Sequence, residues 1–484
     1  MKMMSEAKRM HPAATIFNFI AMIKDVLIPA VIGSFALIRN IDAPSWVWAL
    51  VILGLLLAII GFSFLSWYRF TYRIEGEELR IESGIFIRKK RYISKNRIQS
   101  IDLTAGVIHR IFRLVKVEVQ TAGSDNAAEA GLKAVSRKEG ELLREALKRA
   151  KAEATAETEE SSGVEEPKMV AQRTIGVKRL LLAATTSGGI GVFLSLFAVV
   201  GSQINQIIPD GFFTNVYNWA IHLSIVLLLV FILLVCVVVW LMAVAGTLLR
   251  YSFFSIRKYE KELFITRGLL EKKQVTVPLN RIQGIRIQEN IFRQPLGYAA
   301  VYVEVAGGAL DKNDDFSIAL FPLLKRTEIQ SFVQEYLPGI QIEDRWGLLP
   351  TRSARRFVLR STIPVVVIAA PLLYFFPSYS WMALIVIAAA AVLGYLRFRD
   401  AGFILTEKQL SFRSRMLSRE TIVVDRKRIQ SLSTSNHWFQ RRKSLQTVYF
   451  SIASHSGVGK SFLVKDMENK DAEAIRDWYS FHSQ

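Results

Sequence analysis

Few residues in this 484-residue chain stand in patterns that do chemistry, and the nearest to one is Ser454-His-Ser-Gly-Val-Gly-Lys-Ser. It approaches the Gly-x4-Gly-Lys-Ser loop whose backbone amides cradle phosphate, but serine stands where the first glycine belongs. Phe462-Leu463-Val464 behind it reads as a strand, whereas a phosphate loop opens onto a helix N-terminus. A sheet-edge turn is therefore preferred to a nucleotide site. The six histidines, His11, His109, His222, His437, His455 and His482, show no zinc-ligand spacing. The single cysteine, Cys236, excludes an intrachain disulfide framework and any multi-cysteine metal centre. No nucleophile elbow, dinucleotide fingerprint or paired-carboxylate motif occurs. The expectation is a protein with no catalytic residue, no metal and no cofactor.

Basic residues are the remaining candidates. Arg97, Arg281 and Arg428 each open an Arg-Ile-Gln triplet. A guanidinium can hold a lipid phosphate in a bidentate contact. A structural role is preferred, because Ile and Gln recur beside each arginine. Lys24, Lys178, Arg179, Arg355, Arg356 and Arg360 lie early in long apolar stretches. An intramembrane charge can line an ion path. Near a helix end it more simply extends to the headgroups, which is the reading preferred here.

The elements that must position these residues are membrane helices. Hydrophobic residues make up 51% of the chain, yet its net charge is +20. Crossing a bilayer core about 30 Å thick takes about 20 mostly apolar helical residues. Six segments approach that length: Thr15 to Ile38, Trp46 to Tyr68, Leu180 to Ile204, Ala220 to Leu249, Phe357 to Phe376 and Ser378 to Leu396. They pair into hairpins through short connectors that contain one basic residue, Arg39. The long polar stretches and both termini are thus expected on the cytoplasmic side of the cell membrane. Phe212, Phe213, Tyr217 and Trp219, in the second connector, are expected as interfacial anchors. No cleavable leader is expected. The positive charge beside apolar spans suits anionic lipid rather than nucleic acid.

One unit is written three times. After each hairpin come LRIESGIFIRKKRYISKNRIQSI from Leu79, LFITRGLLEKKQVTVPLNRIQGI from Leu263 and LSFRSRMLSRETIVVDRKRIQSL from Leu410. The leucine precedes the arginine of the triplet by 18 residues in all three. The register runs on into Val115, Val117 and Val119, into Val301, Val303 and Val305, and into Val448, Phe450 and Ile452, a period-two pattern that predicts half-buried strands. Amphipathic helices are predicted from Ser136, Pro322 and Lys465.

This pattern resembles the bacterial pleckstrin-homology-like membrane family of the YdbS/YdbT type, and its three hairpins are similar to the YdbT-like, three-repeat members. The resemblance implies a PH-like fold for each polar unit, two packed antiparallel sheets with a C-terminal helix. It also implies association with a smaller single-repeat PH-like membrane protein, and a link to envelope defence against membrane-active peptides.

The expected architecture is α+β and integral to the membrane: six transmembrane helices in three hairpins, each followed by an antiparallel β domain. Residues 1–14 form a tail, 15–68 hairpin 1, 69–150 domain 1, and 151–172 an acidic disordered linker. Residues 173–249 form hairpin 2, 250–340 domain 2, 341–396 a basic interfacial segment with hairpin 3, and 397–484 domain 3. The expected function is a non-enzymatic scaffold that binds membrane lipid and a partner membrane protein, with a homo-oligomer as a further option. The competing reading is a six-helix exporter, resting on Lys24, Asp25 and Arg360.

Overall fold

The computed structural model describes residues 7–27, 29, 44–76, 78–121, 130–156, 169–187, 225–306, 317–375, 380–453 and 459–480. It divides into two compact units. Unit 1 comprises residues 1–168, 270–276 and 307–309, and unit 2 comprises the remainder.

Unit 1 opens with strand β1 (Lys8–Arg9), helix Ala14–Met22 and a π-helical turn, Ile23–Leu27. The apolar helix Ser45–Tyr68 packs beside them, with Ser63 Oγ donating to Met22 Sδ at 3.4 Å. Strands β2 (Thr71–Glu75), β3 (Glu78–Ser83) and β4 (Lys89–Ser94) extend β1 into an antiparallel sheet of order β1-β2-β3-β4. A 3-10 turn, Lys95–Arg97, carries the chain to a second sheet. That sheet contains β5 (Ile98–Ala105), β6 (Leu114–Thr121) and β7 (Ala130–Ser136). Helix Arg137–Ala156 closes the domain. Alternation sends Leu79, Ile81, Val117 and Val119 inward, where Leu143 and Leu147, one turn apart on the helix, meet them. Residues 270–276 belong to this unit as well: Lys272, Lys273 and Gln274 lie antiparallel to Ala105, Thr104 and Leu103. The Thr276 backbone N–H donates to Asp102 Oδ1 at 3.2 Å.

Unit 2 begins with β8 (Met169–Thr174) and the helices Val177–Thr185 and Ile225–Tyr251. Strands β9 (Ser255–Tyr259) and β10 (Glu262–Arg267) follow; after β11 (Lys272–Pro278), whose residues 272–276 belong to unit 1, the turn Leu279–Arg281 leads into β12 (Ile282–Glu289). After β13 (Tyr298–Val305) and β14 (Ser317–Lys325) comes helix Arg326–Tyr336. The predicted helical stretch from Pro322 therefore begins as strand. Leu323 and Leu324 are fully buried, and the irregular pairing of β13 with β14 accommodates the proline. An edge-to-face ladder of Phe254, Phe321 and Phe332, with Tyr336 stacked on Phe332, fills the space beneath.

The third repeat has β15 (Gly347–Leu348), helices Ala354–Phe375 and Ser380–Asp400, and strands β16 (Gly402–Leu405), β17 (Gln409–Arg415) and β18 (Arg419–Asp425). The turn Arg426–Arg428 leads to β19 (Ile429–Ser435), β20 (Leu445–Ile452) and β21 (Lys460–Glu468), and helix Asn469–Tyr479 completes the unit. Here too the helix starts later than predicted, because Lys465 to Glu468 remain in the sheet.

The repeats of unit 2 share a sheet. β12 of the second repeat pairs with β18 of the third, giving seven strands in the order β14-β13-β12-β18-β17-β16-β15. Gly284 allows this approach, since a methyl group there would sit 2.6 Å from the Val423 carbonyl oxygen and 2.8 Å from Val424 Cγ2. The register repeats that of unit 1. Arg419 faces Glu289, and Lys272 faces Ala105. In both pairs the first residue lies nine positions beyond the repeat leucine and the second eight beyond the repeat arginine.

The Arg-Ile-Gln triplet now has a structural meaning. The arginine ends the 3-10 turn between the two sheets, and the isoleucine, Ile98, Ile282 or Ile429, is buried. The pairing register slips across the glutamine, between Ile98 and Ser100, Ile282 and Gly284, and Ile429 and Ser431. A bulge at the first strand position turns the chain sharply into the second sheet.

Among the described residues three helices are long and apolar enough to cross a membrane, at Leu50–Tyr68, Leu233–Tyr251 and Trp381–Asp400, against six expected. Each is the second member of its pair. Helix Ala354–Phe375 carries Arg355, Arg356 and Arg360 and contains Pro364 and Pro371. Beyond Arg360 it rises only about 22 Å at 1.5 Å per residue, short of a bilayer core. The first helices of the other two pairs are described only in part, and the aromatic connector around Phe212 lies outside the described residues. The expected linker 151–172 is helical as far as Ala156 and strand from Met169, while residues 157–168 also lie outside.

Gly284→Ala should destabilise unit 2 by about 1–3 kcal/mol, since the seam has no room for a methyl group. Ser431→Ala, the same position in the third repeat, should cost under about 1 kcal/mol because no strand lies outside it among the described residues. Thermal unfolding of the two variants in one detergent gives the comparison, and equal losses would contradict a tight seam.

Candidate functional site

Carboxylates of the β domains take up the basic residues at the starts of the hairpins. Asp466, in β21, is fully buried and has a left-handed backbone (φ 57°) that turns its side chain inward. Its Oδ1 lies 3.2 Å from Arg356 Nε and accepts a 2.9 Å hydrogen bond from Gln440 Nε2, while Oδ2 accepts one from Arg360 at 2.8 Å. Arg356 also donates to the Phe439 carbonyl at 2.8 Å. In the second repeat Glu328 receives Arg173 at 2.6 Å and both terminal nitrogens of Arg179, at 3.0 and 2.8 Å. Burial alone would raise the Glu328 pKa, but the hydrogen bonds and charges of Arg179 and Arg173 outweigh it and hold the carboxyl below its ordinary value. In the first repeat Lys8 meets Glu139 at 3.0 Å, and Lys133 donates to Asn18 Oδ1 at 2.6 Å. Glu139 and Glu328 occupy the third position of their closing helices.

A second feature recurs three times. The loop after the second strand of each repeat exposes apolar side chains: Phe86 (88% exposed) and Ile87, Leu269 and Leu270, and Met416 (79%) and Leu417. Phe86, Leu270 and Leu417 each lie seven residues beyond the repeat leucine. Each loop sits beside the second helix of its own hairpin. The Phe86 ring is 6.0 Å from that of Phe62, the Leu269 N–H donates to the Leu249 carbonyl at 2.8 Å, and Arg397 donates to the Met416 carbonyl at 2.9 Å. A second tip exposes Val107, Ile291 and Trp438, each ten residues beyond the repeat arginine. It lies beside the first helix: His109 stacks on Phe17 at 3.9 Å, and Arg293 donates to the Ala183 carbonyl at 3.0 Å. Each tip ends at a residue with positive φ, Arg113, Gly297 or Ser444.

The predicted site residues separate into groups. Arg97 is exposed. The Arg281 carbonyl accepts hydrogen bonds from Ala306 N and Gln283 Nε2, both at 3.0 Å, and Arg428 donates to the Asn280 carbonyl at 2.7 Å. Arg97 belongs to unit 1, and Arg281 and Arg428 to unit 2. Lys24 stands in the π-helical turn, and Lys178 and Arg355 are exposed. Arg179, Arg356 and Arg360 bind carboxylates, Arg179 with Glu328 and the other two with Asp466. Lys460 of the phosphate-loop-like stretch starts strand β21 and pairs with Glu304 at 2.9 Å, so no helix follows the loop.

Sequence reasoning missed the acceptors Glu328 and Asp466, and also the seam charges. In the seam Arg286 binds Glu304 at 3.1 Å and Glu420 at 3.3 Å, and Arg419 binds Glu289. The fixed offsets of Phe86, Leu270 and Leu417 were a readable signal for the first tips.

Apolar hairpins with two-sheet, helix-closed domains clamped to them define a membrane protein built from PH-like repeats. A family model described as the bacterial PH domain matches residues 23–151, 213–337 and 359–481, and the chain belongs to that family. The chain is similar to the UPF0699 transmembrane protein YdbT of Bacillus subtilis (strain 168), at 36% identity over 492 residues covering 99% of each chain.

Asp466→Asn should destabilise the third repeat by about 3 kcal/mol, because two arginines lose the buried anion that holds them. Asparagine tolerates the left-handed backbone, so the loss reports charge rather than strain. Unchanged thermal unfolding would show that the clamp carries no stability. The Glu328 carboxyl has a lowered folded-state pKa, so its contribution is full above the unfolded value of about 4.3 and fades as pH falls through the folded value. Glu328→Gln should shrink the loss of melting temperature between pH 6 and pH 3, and an identical acid limb would refute the assignment.

Proposed function

We propose that this chain is a non-enzymatic, membrane-anchored scaffold whose three PH-like domains lie against the cytoplasmic leaflet, binding anionic lipid and presenting surfaces to a partner membrane protein. The carrying observation is the threefold recurrence of apolar loop tips beside the helical hairpins. Large exposed apolar side chains in soluble surroundings weaken solubility without return, whereas beside a membrane helix they enter the interfacial layer. Basic residues flank the tips: Lys89, Lys90 and Arg91 in the first repeat, Lys272 and Lys273 in the second, Arg441, Arg442 and Lys443 in the third. Each basic residue near an anionic surface adds about 1 kcal/mol of attraction. The clamps on Arg179, Arg356 and Arg360 fix the second and third domains at their hairpins, which suits a rigid platform. Arg360, one of the charges behind the exporter reading, is occupied by Asp466. A role in envelope defence against membrane-active peptides would follow from such a platform, with the partner a single-repeat PH-like membrane protein.

The single native cysteine makes the test direct. With Cys236→Ser as background, Phe86→Cys, Met416→Cys and Trp438→Cys are labelled with an environment-sensitive fluorophore and reconstituted in phosphatidylglycerol-containing bilayers. Blue-shifted emission that brominated acyl chains quench is expected at all three positions. Water-like emission at all three would overturn the reading.

A further inference from the structure

The seams between repeats use one pair of strand edges. The outer edge of β12 receives β18 in unit 2, and in unit 1 the outer edge of β5 receives residues 272–274, in the equivalent register. β19 is the third member of this series, at the same distance from its repeat arginine. Among the described residues its outer edge carries no strand, for the sheet ends there in the order β19-β20-β21. The consequence shows in burial. All but one residue of β12 is buried, whereas in β19 Gln430, Ser431, Ser433, Thr434 and Ser435 are exposed.

Natural sheets protect an open edge with lysine, proline or an inward charge, because unpaired backbone groups recruit other strands. The opposite end of the series follows that rule. β4 is the edge strand of the first sheet and carries Lys89, Lys90 and Arg91. β19 reads Ile-Gln-Ser-Leu-Ser-Thr-Ser, without charge or proline over seven residues. An edge of that length left without protection, whose two counterparts are both paired, is built to pair.

We propose that the outer edge of β19 docks the first-sheet edge strand of a PH-like domain from a different protein, by antiparallel strand addition in the register of the internal seams. The residue nine positions beyond that partner's repeat leucine would face Asn436, as Arg419 faces Glu289. Charge selects against a second copy of this chain. Arg441 binds the Asn436 side chain at 3.1 Å, and Arg442 and Lys443 follow it. The chain's own β4 would bring Arg88, Lys89 and Lys90 against this basic end. The internal seam instead sets Glu420 against Arg286 and Arg419 against Glu289. The favoured partner strand is acidic where β4 is basic. Backbone pairing supplies the affinity and the facing charges the selectivity. The inference deepens the scaffold reading above by naming the surface and the kind of partner, and it rests on that reading.

A photo-crosslinking amino acid replaces Ser433 in the full-length chain, in membranes of the bacterium that makes it, and the crosslinked peptides are sequenced by mass spectrometry. The expected product joins Ser433 to the first-sheet edge strand of a different protein carrying a PH-like domain. Adding Thr434→Glu and Ser435→Glu, which set like charge against the acidic strand, should cut its yield at least tenfold at an unchanged melting temperature. Crosslinks to a second copy of the chain, to a protein without such a domain, or to no protein would each overturn the proposal. If the loop tips still show quenchable, blue-shifted emission in that case, the scaffold reading survives and only the β19 edge is wrong. Water-like tips would remove the scaffold reading itself.

Discussion

Every strand edge leaves a row of backbone donors and acceptors that must find partners or water, and this requirement organises the molecule. Within unit 2 the two repeats satisfy it for each other, merging the second sheet of one domain with the first sheet of the next. The seam is narrow enough to demand glycine at position 284, and it is selective, because Arg286, Glu420, Arg419 and Glu289 must meet in one register. A slip of one residue would reverse which face each of them occupies. The two repeats of unit 2 are therefore bonded through their backbones in a fixed register.

The second constraint joins sheet to helix. A PH-like domain hung from a membrane hairpin by a flexible tether would sample many orientations. Here Glu328 and Asp466 take arginines from the hairpin helices through multidentate contacts. Asp466 is the more demanding, being fully buried with two guanidinium partners and an amide. Burial of such a group is costly unless it is fully paired, so the geometry is tightly determined. With hairpin and domain locked together in the second and third repeats, the apolar tips are held beside their own hairpin helices, a placement that supports the membrane-platform reading.

Much of this was legible from residues alone. Identical spacing from Leu79, Leu263 and Leu410 to the Arg-Ile-Gln triplets marks the repeat, and all three leucines are fully buried. The valine alternation marks β6 and β13 without ambiguity. The triplet was readable as a signature but not as a mechanism, since a bulge is a property of two paired strands. Pro322 and Lys465 misled in the same way, because a helix boundary set by burial of Leu323 and Leu324, or of Val464 and Met467, has no local marker.

What the sequence determined by itself was the set of parts: three repeats, their apolar helices, the strand faces and the absence of a recognisable catalytic pattern. Those properties follow from periodicity and composition, which act over a few residues. What only the tertiary structure decided was which parts meet. Arg360 and Asp466 are 106 residues apart, and Arg286 and Glu420 are 134. Neither pair has a spacing rule, because each is set by how a whole sheet turns to bury one face. The edge of β19, open among the described residues, belongs to the same class, since its sequence differs little in kind from a paired strand and only the order of the sheet leaves it outermost.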